Sequence, residues 1–441
     1  MASELFDAAR RVVDVALKGG AKEARASAYR NRDVDVQWRD GRVEKVSEAT
    51  TRGVSFQLYV DGRYVALSTS DLRPEALQKF ALDGVQMARA ITADPFRVLP
   101  DKALYAGRTT VNLDLVDPAV DTLDAGARRS MAKALEDAAR SVKGADAILS
   151  VSTGVAASHA WLARVSSNGF EGEREATDVS LWADVSVKDP DGRRPEDGLS
   201  ARARYLGDLP PAAELGSAST ERALAAIGSK KAESKVMTMV VENRVASRLV
   251  GALLGAMTAR ALQQKQSFLD GKLNSAIASK LLTMIDDPFL PKGLASRAFD
   301  GEGISAKKFA VIDGGILKTF YVDDYYGRKL KMAPTTAGSS NLVFLGGKGT
   351  QSDLLKSVKD GVLVTGFLGG NTNPTTGDYS LGVQGFRVRD GKRGEPIAET
   401  NISGNLLALW QKLIAVGADP YPYGSTKTPT MVFDAVQFAG S

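Results

Sequence analysis

Asp-Gly or Asn-Gly pairs separate strand-like runs along much of this chain. They occur at Asp40-Gly41, Asp61-Gly62, Asn168-Gly169, Asp191-Gly192, Asp313-Gly314-Gly315 and Asp390-Gly391. Asn, Asp and Gly tolerate the positive φ angles of tight hairpin turns, so each pair is expected to join two antiparallel neighbours. Helical stretches rich in Ala, Leu, Arg and Glu alternate with these hairpins. The pattern therefore predicts an α+β fold.

The N-terminal half is predicted to be an α/β region of antiparallel sheets with helices. Helices are expected over residues 3–18, 73–91, 121–143 and 217–227, and strands over 24–32, 34–39, 43–47, 51–60 and 63–69. Strand-like segments over 148–188 predict an antiparallel meander. We expect two blocks, 1–95 and 110–228, which together form one N-terminal domain. The basic linker at 228–231 predicts a boundary before a second domain over 234–441.

The second domain is predicted to be mainly antiparallel β with a central helix. Strands are expected over 308–312, 316–322, 341–345, 361–368, 382–389, 397–402 and 430–438. Shorter helices are expected over 352–359 and 405–416, and a further helical piece over 275–282. The central helix, over 242–257, has apolar residues at helical spacing. Gly251 and Gly255 each cost about 1 kcal/mol of helix propensity, which suggests close packing of another backbone there.

Cysteine and histidine are nearly absent, and this limits the chemistry available to the chain. There is no cysteine and one histidine, His159. Thiolate metal sites, disulfides and thiol nucleophiles are therefore excluded, and a catalytic zinc site normally needs two or three imidazoles. His159 lies in a strand-rich segment, where a structural histidine with satisfied hydrogen bonds is the favoured interpretation. A hydrolase that uses Ser or Asp without histidine remains open, although no motif marks one.

Charge and hydropathy narrow the possible partners. The net charge is +5, and basic and acidic residues are interspersed along the chain, which argues against a nucleic-acid partner. No uninterrupted apolar run approaches the roughly 20 residues that a membrane span requires. The first residues predict an amphipathic helix rather than a signal peptide. We therefore expect a cytoplasmic protein with no membrane partner.

Four blocks of sequence follow one another along the chain at 52–72 (RGVSFQLYVDGRYVALSTSDL), 286–330, 366–386 (GFLGGNTNPTTGDYSLGVQGF) and 399–420. In this order they resemble the TldD/PmbA family, whose branches are called TldD and TldE (PmbA). TldD-type chains carry a His-Glu-x-x-x-His zinc motif on the central helix. Here the corresponding positions hold Ser247, Arg248 and Ala252, none of which is a usual zinc ligand. The chain therefore resembles the metal-free TldE/PmbA branch.

The resemblance implies a non-metal-binding subunit of a heterodimeric metalloprotease that acts on unfolded peptides. The TldD-like partner would supply the zinc and the general base, so this chain would hold no cofactor and would be inactive alone. The chain would complete the cavity and hold the substrate. A homodimer is possible when the partner is absent. The alternative function is that of a DNA gyrase modulator or nucleic-acid-associated binding protein, as the family's older name implies.

Two groups of polar residues are candidate sites. The glycine-rich block at 366–386 has no Gly-Lys-Ser/Thr element, so it does not match a phosphate-binding loop. It forms either a hairpin with polar turns or a loop along the peptide channel, where Asn371, Asn373 and Asp378 would hydrogen-bond an extended substrate. The carboxylates at 286, 287, 300 and 302 are candidates for a hard cation, but turn chemistry is the stronger interpretation. Arg248 is expected to pair with a carboxylate, either a nearby one such as Glu242 or one brought by the partner.

Overall fold

A computed structural model describes residues 2–440, with 26% helix and 38% strand. The α+β class predicted from the sequence is confirmed. In the N-terminal half the elements are α1 (Ala2–Lys18), β1 (Glu23–Arg39), β2 (Arg42–Val60), β3 (Arg63–Thr69), α2 (Pro74–Arg89), α3 (Pro118–Thr122), α4 (Ala125–Arg140), β4 (Ile148–Ser166), β5 (Glu171–Val187), β6 (Glu196–Ala203) and α5 (Ala212–Ala225). Short 3₁₀ turns lie at Lys102–Tyr105, Ala145–Ala147 and Leu206–Asp208.

The N-terminal strands form one antiparallel sheet in the order β3-β2-β1-β4-β5-β6. The Asp40-Gly41 hairpin joins β1 to β2, and both residues have the positive φ angles (46° and 83°) that such a turn needs. The Asp61-Gly62 hairpin joins β2 to β3 in the same way. These two predicted turns are confirmed. Two strands are longer than predicted. The segments expected over 24–32 and 34–39 form the single strand β1, and those expected over 43–47 and 51–60 form the single strand β2.

One face of this sheet is covered by helices. Helices α1 and α2 pack over β1, β2 and β4, where Phe56 and Leu58 are fully buried. Helices α4 and α5 pack over β4, β5 and β6, around Leu135 and Leu181. Side chains alternate along a strand, so the intervening residues face away from the helices. That second face is polar and is partly covered by the C-terminal half.

The C-terminal half begins with β7 (Lys235–Val241). Its further elements are α6 (Asn243–Ala256), α7 (Ala259–Gln263), β8 (Thr283–Asp287), β9 (Phe309–Asp313), β10 (Ile316–Leu317), α8 (Asp324–Leu330), β11 (Asn341–Leu345), α9 (Gln351–Leu355), β12 (Asp360–Phe367), β13 (Asn371–Thr372), β14 (Asp378–Arg389), β15 (Lys392–Asn405), α10 (Leu406–Gln411), β16 (Leu413–Val416), β17 (Thr426–Lys427) and β18 (Met431–Ala439). Two sheets result, and their strands are mostly antiparallel.

The larger C-terminal sheet closes on itself. Its strands follow the order β12-β7-β18-β15-β14, and β12 pairs again with β14, which completes a ring. A second sheet, β10-β9-β8-β11-β17, lies across the same hydrophobic core. Helix α6 contributes Leu249, Val250 and Leu253 to that core, so the predicted central helix is confirmed.

Several predicted elements are wrong in detail. The helix expected over 121–143 is divided into α3 and α4, because the side chain of Asp124 caps a new helix by accepting from the Ala127 amide at 2.7 Å. No helix forms over 275–282. The helix expected over 405–416 ends at Gln411, because the next residues pair with β18 as β16. Within residues 2–440, no helix is long and apolar enough to cross a membrane.

Candidate functional site

Helix α6 presents the three zinc-motif positions on or near its outer side. Ser247 and Arg248 are exposed, and Ala252 is half-buried. Gly251 and Gly255 lie on the same side, and a Cβ atom at either would meet no atom within 4 Å. The prediction that another backbone packs against these glycines is therefore wrong within this chain. The outer face of α6 is open.

The donor set on α6 does not fit zinc. Ser247 carries a hydroxyl, Ala252 has no donor atom, and the Arg248 guanidinium is a cation that offers only hydrogen-bond donors. Among residues 2–440, no group of three or more His, Cys, Asp and Glu side chains is arranged to hold a metal ion. This chain's own α6 residues therefore provide neither a Lewis acid nor a carboxylate base.

Arg248 does not pair with Glu242, so the first of the two pairings expected from the sequence is wrong. Arg248 makes no hydrogen bond or ion pair within the described chain, whereas Glu242 is held by two other arginines. Arg222 of α5 donates to both Glu242 carboxylate oxygens, at 2.9 and 3.1 Å, and Arg244 lies 3.7 Å away. Because α5 belongs to the N-terminal half, this pair fixes the start of α6 against that half of the chain.

A fourth charge completes this network across the two halves. Asp197 of β6 lies 3.2 Å from Arg222 and 3.7 Å from Arg244, and Arg244 also donates to the Thr365 carbonyl at 2.9 Å. The network borders a cavity of about 460 Å³ between the halves. Its walls are partly apolar and include Leu199, Leu215, Leu363, Phe386, Tyr421 and Tyr423.

Asn371, Asn373 and Asp378 are all exposed, but two of them are engaged in a turn. Asn373 accepts from the Thr375 amide at 2.9 Å. Asp378 accepts from the Thr376 hydroxyl at 2.7 Å and from the Asn405 amide at 3.0 Å. Asn371 lies on β13, the last strand in the order of its sheet. The turn interpretation of this block is therefore supported, and Asn371 is left at an exposed sheet end.

The acidic residues at 286–302 do not form a cation site. Asp286 is buried and accepts from the Tyr321 hydroxyl at 2.9 Å and from the Ser340 amide at 2.9 Å. Burial raises its pKa above the usual range. Asp300 closes a turn by accepting from the amides of Glu302 and Ile304, and Asp287 pairs with Lys308 at 2.7 Å. Structural roles therefore account for these residues.

Glu302 is the one residue of that group with a strongly shifted pKa. Burial raises the pKa of its carboxyl to about 7, although the Asp324 amide, which donates to Oε2 at 2.8 Å, favours the charged form. The charges of Asp300 and Asp323 raise it further. Glu302 therefore titrates near neutral pH at the contact between the two halves, where its backbone carbonyl accepts from Arg25 at 2.9 Å.

His159 is a structural histidine, as the sequence suggested. Its side chain is 5% exposed, and its two ring nitrogens contact Asp121 at 2.7 Å and Glu175 at 2.8 Å. The ring also stacks on Trp161, with ring centroids 3.6 Å apart. Both polar atoms are therefore satisfied within the fold.

Sequence reasoning missed a set of arginines on the second, polar face of the N-terminal sheet, which faces away from the helices. A cavity of about 640 Å³ lies over that face and includes Arg25, Arg164, Arg174, Arg202 and Arg204 among its walls. The signal was present in the run ARASAY at 24–29, where small apolar residues alternate with polar ones. The other arginines come from strands more than 100 residues away, so the cluster was not readable as a motif.

Comparisons with known proteins agree with this architecture. Three family models match: PmbA/TldA metallopeptidase domain 1 over residues 24–88, the central domain over 118–227 and the C-terminal domain over 234–440. The chain is 28% identical to Metalloprotease PmbA of Escherichia coli O157:H7, over 96% of this chain and 93% of that protein.

Solved structures give the same result. A proposed modulator of DNA gyrase from Bacteroides thetaiotaomicron superposes with a TM-score of 0.95 and 37% identity, covering 99% of both chains. TldE from Thermococcus kodakarensis shares the fold, with a TM-score of 0.84 and 20% identity over 98% of this chain and all of that one. From the family models and the full-length relatives, this chain belongs to the PmbA/TldD family of metallopeptidases.

Proposed function

We propose that this chain is the non-metal-binding, TldE-like subunit of a heterodimeric metalloprotease that degrades or processes unfolded peptides. A TldD-like partner supplies the zinc and the base that activates water. This chain completes the enclosed cavity and holds the substrate. We place the assembly in the cytoplasm, because the absence of cysteine suits a reducing compartment.

The observation that carries this proposal is the chemistry of the outer face of α6. Family members act as metalloproteases, but here the motif positions hold a hydroxyl, a cation and a methyl group. The helix itself is intact and its inner face is packed into the core, with Leu249 and Leu253 buried. The scaffold is therefore kept, while the groups that would coordinate metal and activate water are missing.

The test is peptidase activity on an unfolded, fluorescently labelled peptide. The purified chain is assayed alone, then with a TldD-like partner, and each assay is repeated with a chelator. We expect activity only in the mixture, and we expect the chelator to abolish it. Size-exclusion chromatography run in parallel distinguishes a heterodimer from a homodimer.

Two results would overturn this proposal. Stoichiometric zinc bound by the isolated chain, measured by elemental analysis, would contradict the non-metal-binding assignment. Chelator-resistant activity of the chain alone would instead indicate a hydrolase that uses other residues. The gyrase or nucleic-acid function, suggested by the name of the Bacteroides relative, predicts DNA binding with a steep dependence on salt.

A further inference from the structure

Strand register places several arginines on the second, polar face of the N-terminal sheet, which faces away from the helices. On β1, Ala24, Ala26 and Ala28 are buried under the helices, so Arg25 and Ser27 point to the other face. The pairing of β1 with β4 places Arg164 opposite Ser27, and the pairing of β4 with β5 places Arg174 opposite Leu162. Arg202 and Arg204 follow on and after β6. Five guanidinium groups therefore border one cavity.

Carboxylates do not balance these charges. The cavity wall contains one acidic residue, Asp178, which pairs with Arg202 at 2.8 Å. The other four arginines have no carboxylate within 4.0 Å in the described chain. A protein surface that concentrates one sign of charge in a concavity attracts ligands of the opposite sign.

In the described part of the chain, three of these four arginines donate hydrogen bonds, and all of their acceptors are neutral. Arg25 donates to the side-chain oxygen of Gln57, at 2.9 Å from Nε. Arg164 donates to the Ser27 hydroxyl and the Asp300 carbonyl, each at 2.8 Å.

Arg204 donates to three backbone carbonyls, including that of Thr177 at 3.0 Å. Arg174 has no hydrogen bond or ion pair within residues 2–440. Hydrogen bonds thus hold Arg25, Arg164 and Arg204 in place, and no carboxylate of the described residues pairs directly with any of the four arginines, although Asp300 and Glu302 lie near Arg164.

The pKa values show the electrostatic cost of this arrangement. Burial, together with the nearby charge of Arg25, lowers the pKa of Arg164 to about 10. Burial and the charge of Arg174 lower that of Arg204 to about 10. The charged forms of Arg164 and Arg204 are therefore less stable than they would be in water, and a bound anion would reduce the repulsion between these cations.

We propose that this arginine face binds the carboxylates of an acidic peptide segment. Guanidinium groups bind carboxylates with charge-assisted, often bidentate hydrogen bonds. The inference rests on the proposed function, because it assigns a substrate class, acidic unfolded peptides, to a surface of this substrate-holding subunit. Ser55 and Asn31 line the same cavity and offer further polar groups to a peptide backbone.

The cavity fits a peptide better than a nucleic acid. The sheet forms its floor, and Leu294 and Gly301 of the C-terminal half form a wall, so about 640 Å³ accommodates a few side chains. Single-stranded nucleic acid is typically held by aromatic rings that stack on successive bases. Of the aromatic residues here, Trp161 already stacks on His159, which leaves Tyr29.

The test measures binding of fluorescein-labelled oligoglutamate to the isolated full chain by anisotropy. Oligoglutamine of the same length serves as the uncharged control, and oligothymidylate tests for phosphate recognition. Titrations are made at about 20 mM and about 300 mM NaCl, because surface attraction between charges is screened as salt rises. We expect oligoglutamate to bind, to weaken with salt and to exceed both other probes.

Variants localise the binding to the arginine face. Arg174→Gln should weaken oligoglutamate about tenfold, the loss expected for one charge-assisted hydrogen bond. Arg174 has no intramolecular partner, so its replacement should leave the fold intact. Arg129→Gln, which removes an exposed charge from α4 on the helical side, is the matched control and should change affinity little.

A second pair of variants changes Leu162, which lines the cavity beside Arg174. Leu162→Glu places a carboxylate on the cross-strand neighbour of Arg174, so it should compete with the ligand and abolish binding. Leu162→Gln introduces a side chain with nearly the shape of glutamate but without its charge, so this variant should retain binding. Circular dichroism and thermal unfolding of both variants identify any loss that comes from misfolding.

The proposal is overturned if oligoglutamate binds no better than oligoglutamine, or if Arg174→Gln and Arg129→Gln have equal effects. Tighter binding of oligothymidylate would also overturn it, in favour of phosphate recognition. Because these measurements need neither metal nor partner, their outcome is separate from the peptidase assay. Failure of the proposed function would appear there as chelator-resistant activity of the chain alone.

Discussion

Replacement of Glu242 by Gln tests the ionic contact that joins the two halves at the start of α6. Glu242 receives two hydrogen bonds from Arg222 and lies near Arg244, and the three side chains are 14%, 20% and 22% exposed. Removal of one partner from a buried ion pair costs about 3–5 kcal/mol, whereas exposed pairs contribute about 0–1 kcal/mol. At this intermediate burial we expect Glu242→Gln to destabilise the chain by about 2–3 kcal/mol.

The assay is urea unfolding followed by tryptophan fluorescence and by far-ultraviolet circular dichroism. Two probes are needed because a protein with two halves need not unfold in one step. A double-mutant cycle with Arg222→Met isolates the pair, and we expect a coupling energy of about 1 kcal/mol or more.

A matched control exists on the surface. Arg389 and Glu395 form an equally bidentate pair, with both distances 2.7 Å, but their side chains are 53% and 49% exposed. Glu395→Gln should therefore leave the urea midpoint nearly unchanged. Equal effects of Glu242→Gln and Glu395→Gln would refute the argument that burial gives the Glu242 contact its strength.

Three further predictions concern a glycine, a carboxyl and the histidine. Gly251→Ala should stabilise the isolated chain by about 1 kcal/mol in urea unfolding, because a helical Cβ there meets open space. The folded pKa of Glu302, about 7, lies above its ordinary value of 4.5, so the folded state binds more protons between these values and stability falls as pH rises through that window. In the unsubstituted chain, the free energy of unfolding should fall by an amount on the order of 3 kcal/mol between pH 4.5 and 7, and Glu302→Gln should abolish this decrease. Urea unfolding at several pH values measures it. His159→Gln should cost about 1–2 kcal/mol but leave the peptidase activity of the subunit mixture unchanged, because the ring serves two internal hydrogen bonds.

Each of these three predictions would be contradicted by a specific result. A destabilising Gly251→Ala would mean that α6 needs the glycine for its own packing. An unchanged pH profile in Glu302→Gln would place the titration on another group. Loss of peptidase activity in a folded His159→Gln mixture would assign the histidine a role in catalysis or substrate binding.

Local patterns in the sequence were enough to predict much of the architecture. The Asp-Gly turns at 40–41 and 61–62 have the positive φ angles expected of them, because that conformation depends on the turn residues themselves. The central helix follows from its apolar spacing. Two helix predictions failed because of a cap and a strand pairing. Asp124 caps a new helix within 121–143, and residues 413–416 pair with β18 as a strand instead of continuing the helix.

Candidate sites were less predictable, because side-chain roles depend on surroundings. The substitution of all three zinc-motif positions was legible in the sequence, since it concerns residue types alone. The engagement of Asn373 and Asp378 in a turn was not, because each depends on which neighbour its side chain reaches. Arg248 and Glu242, six positions apart, were expected to pair, yet Glu242 contacts Arg222 of another element.

The sequence by itself determined the residue chemistry, the turns, most helices and strands, and the family. Only the tertiary structure decided which distant residues meet. Alternation along a strand is a local property, but the register between β1 and β4 joins residues more than 100 positions apart. Together with the local pairing of β4 with β5, it brings Arg25, Arg164 and Arg174 to one face. The same reason applies to the contact of Arg222 with Glu242, because it requires the N-terminal and C-terminal halves of the chain to pack together.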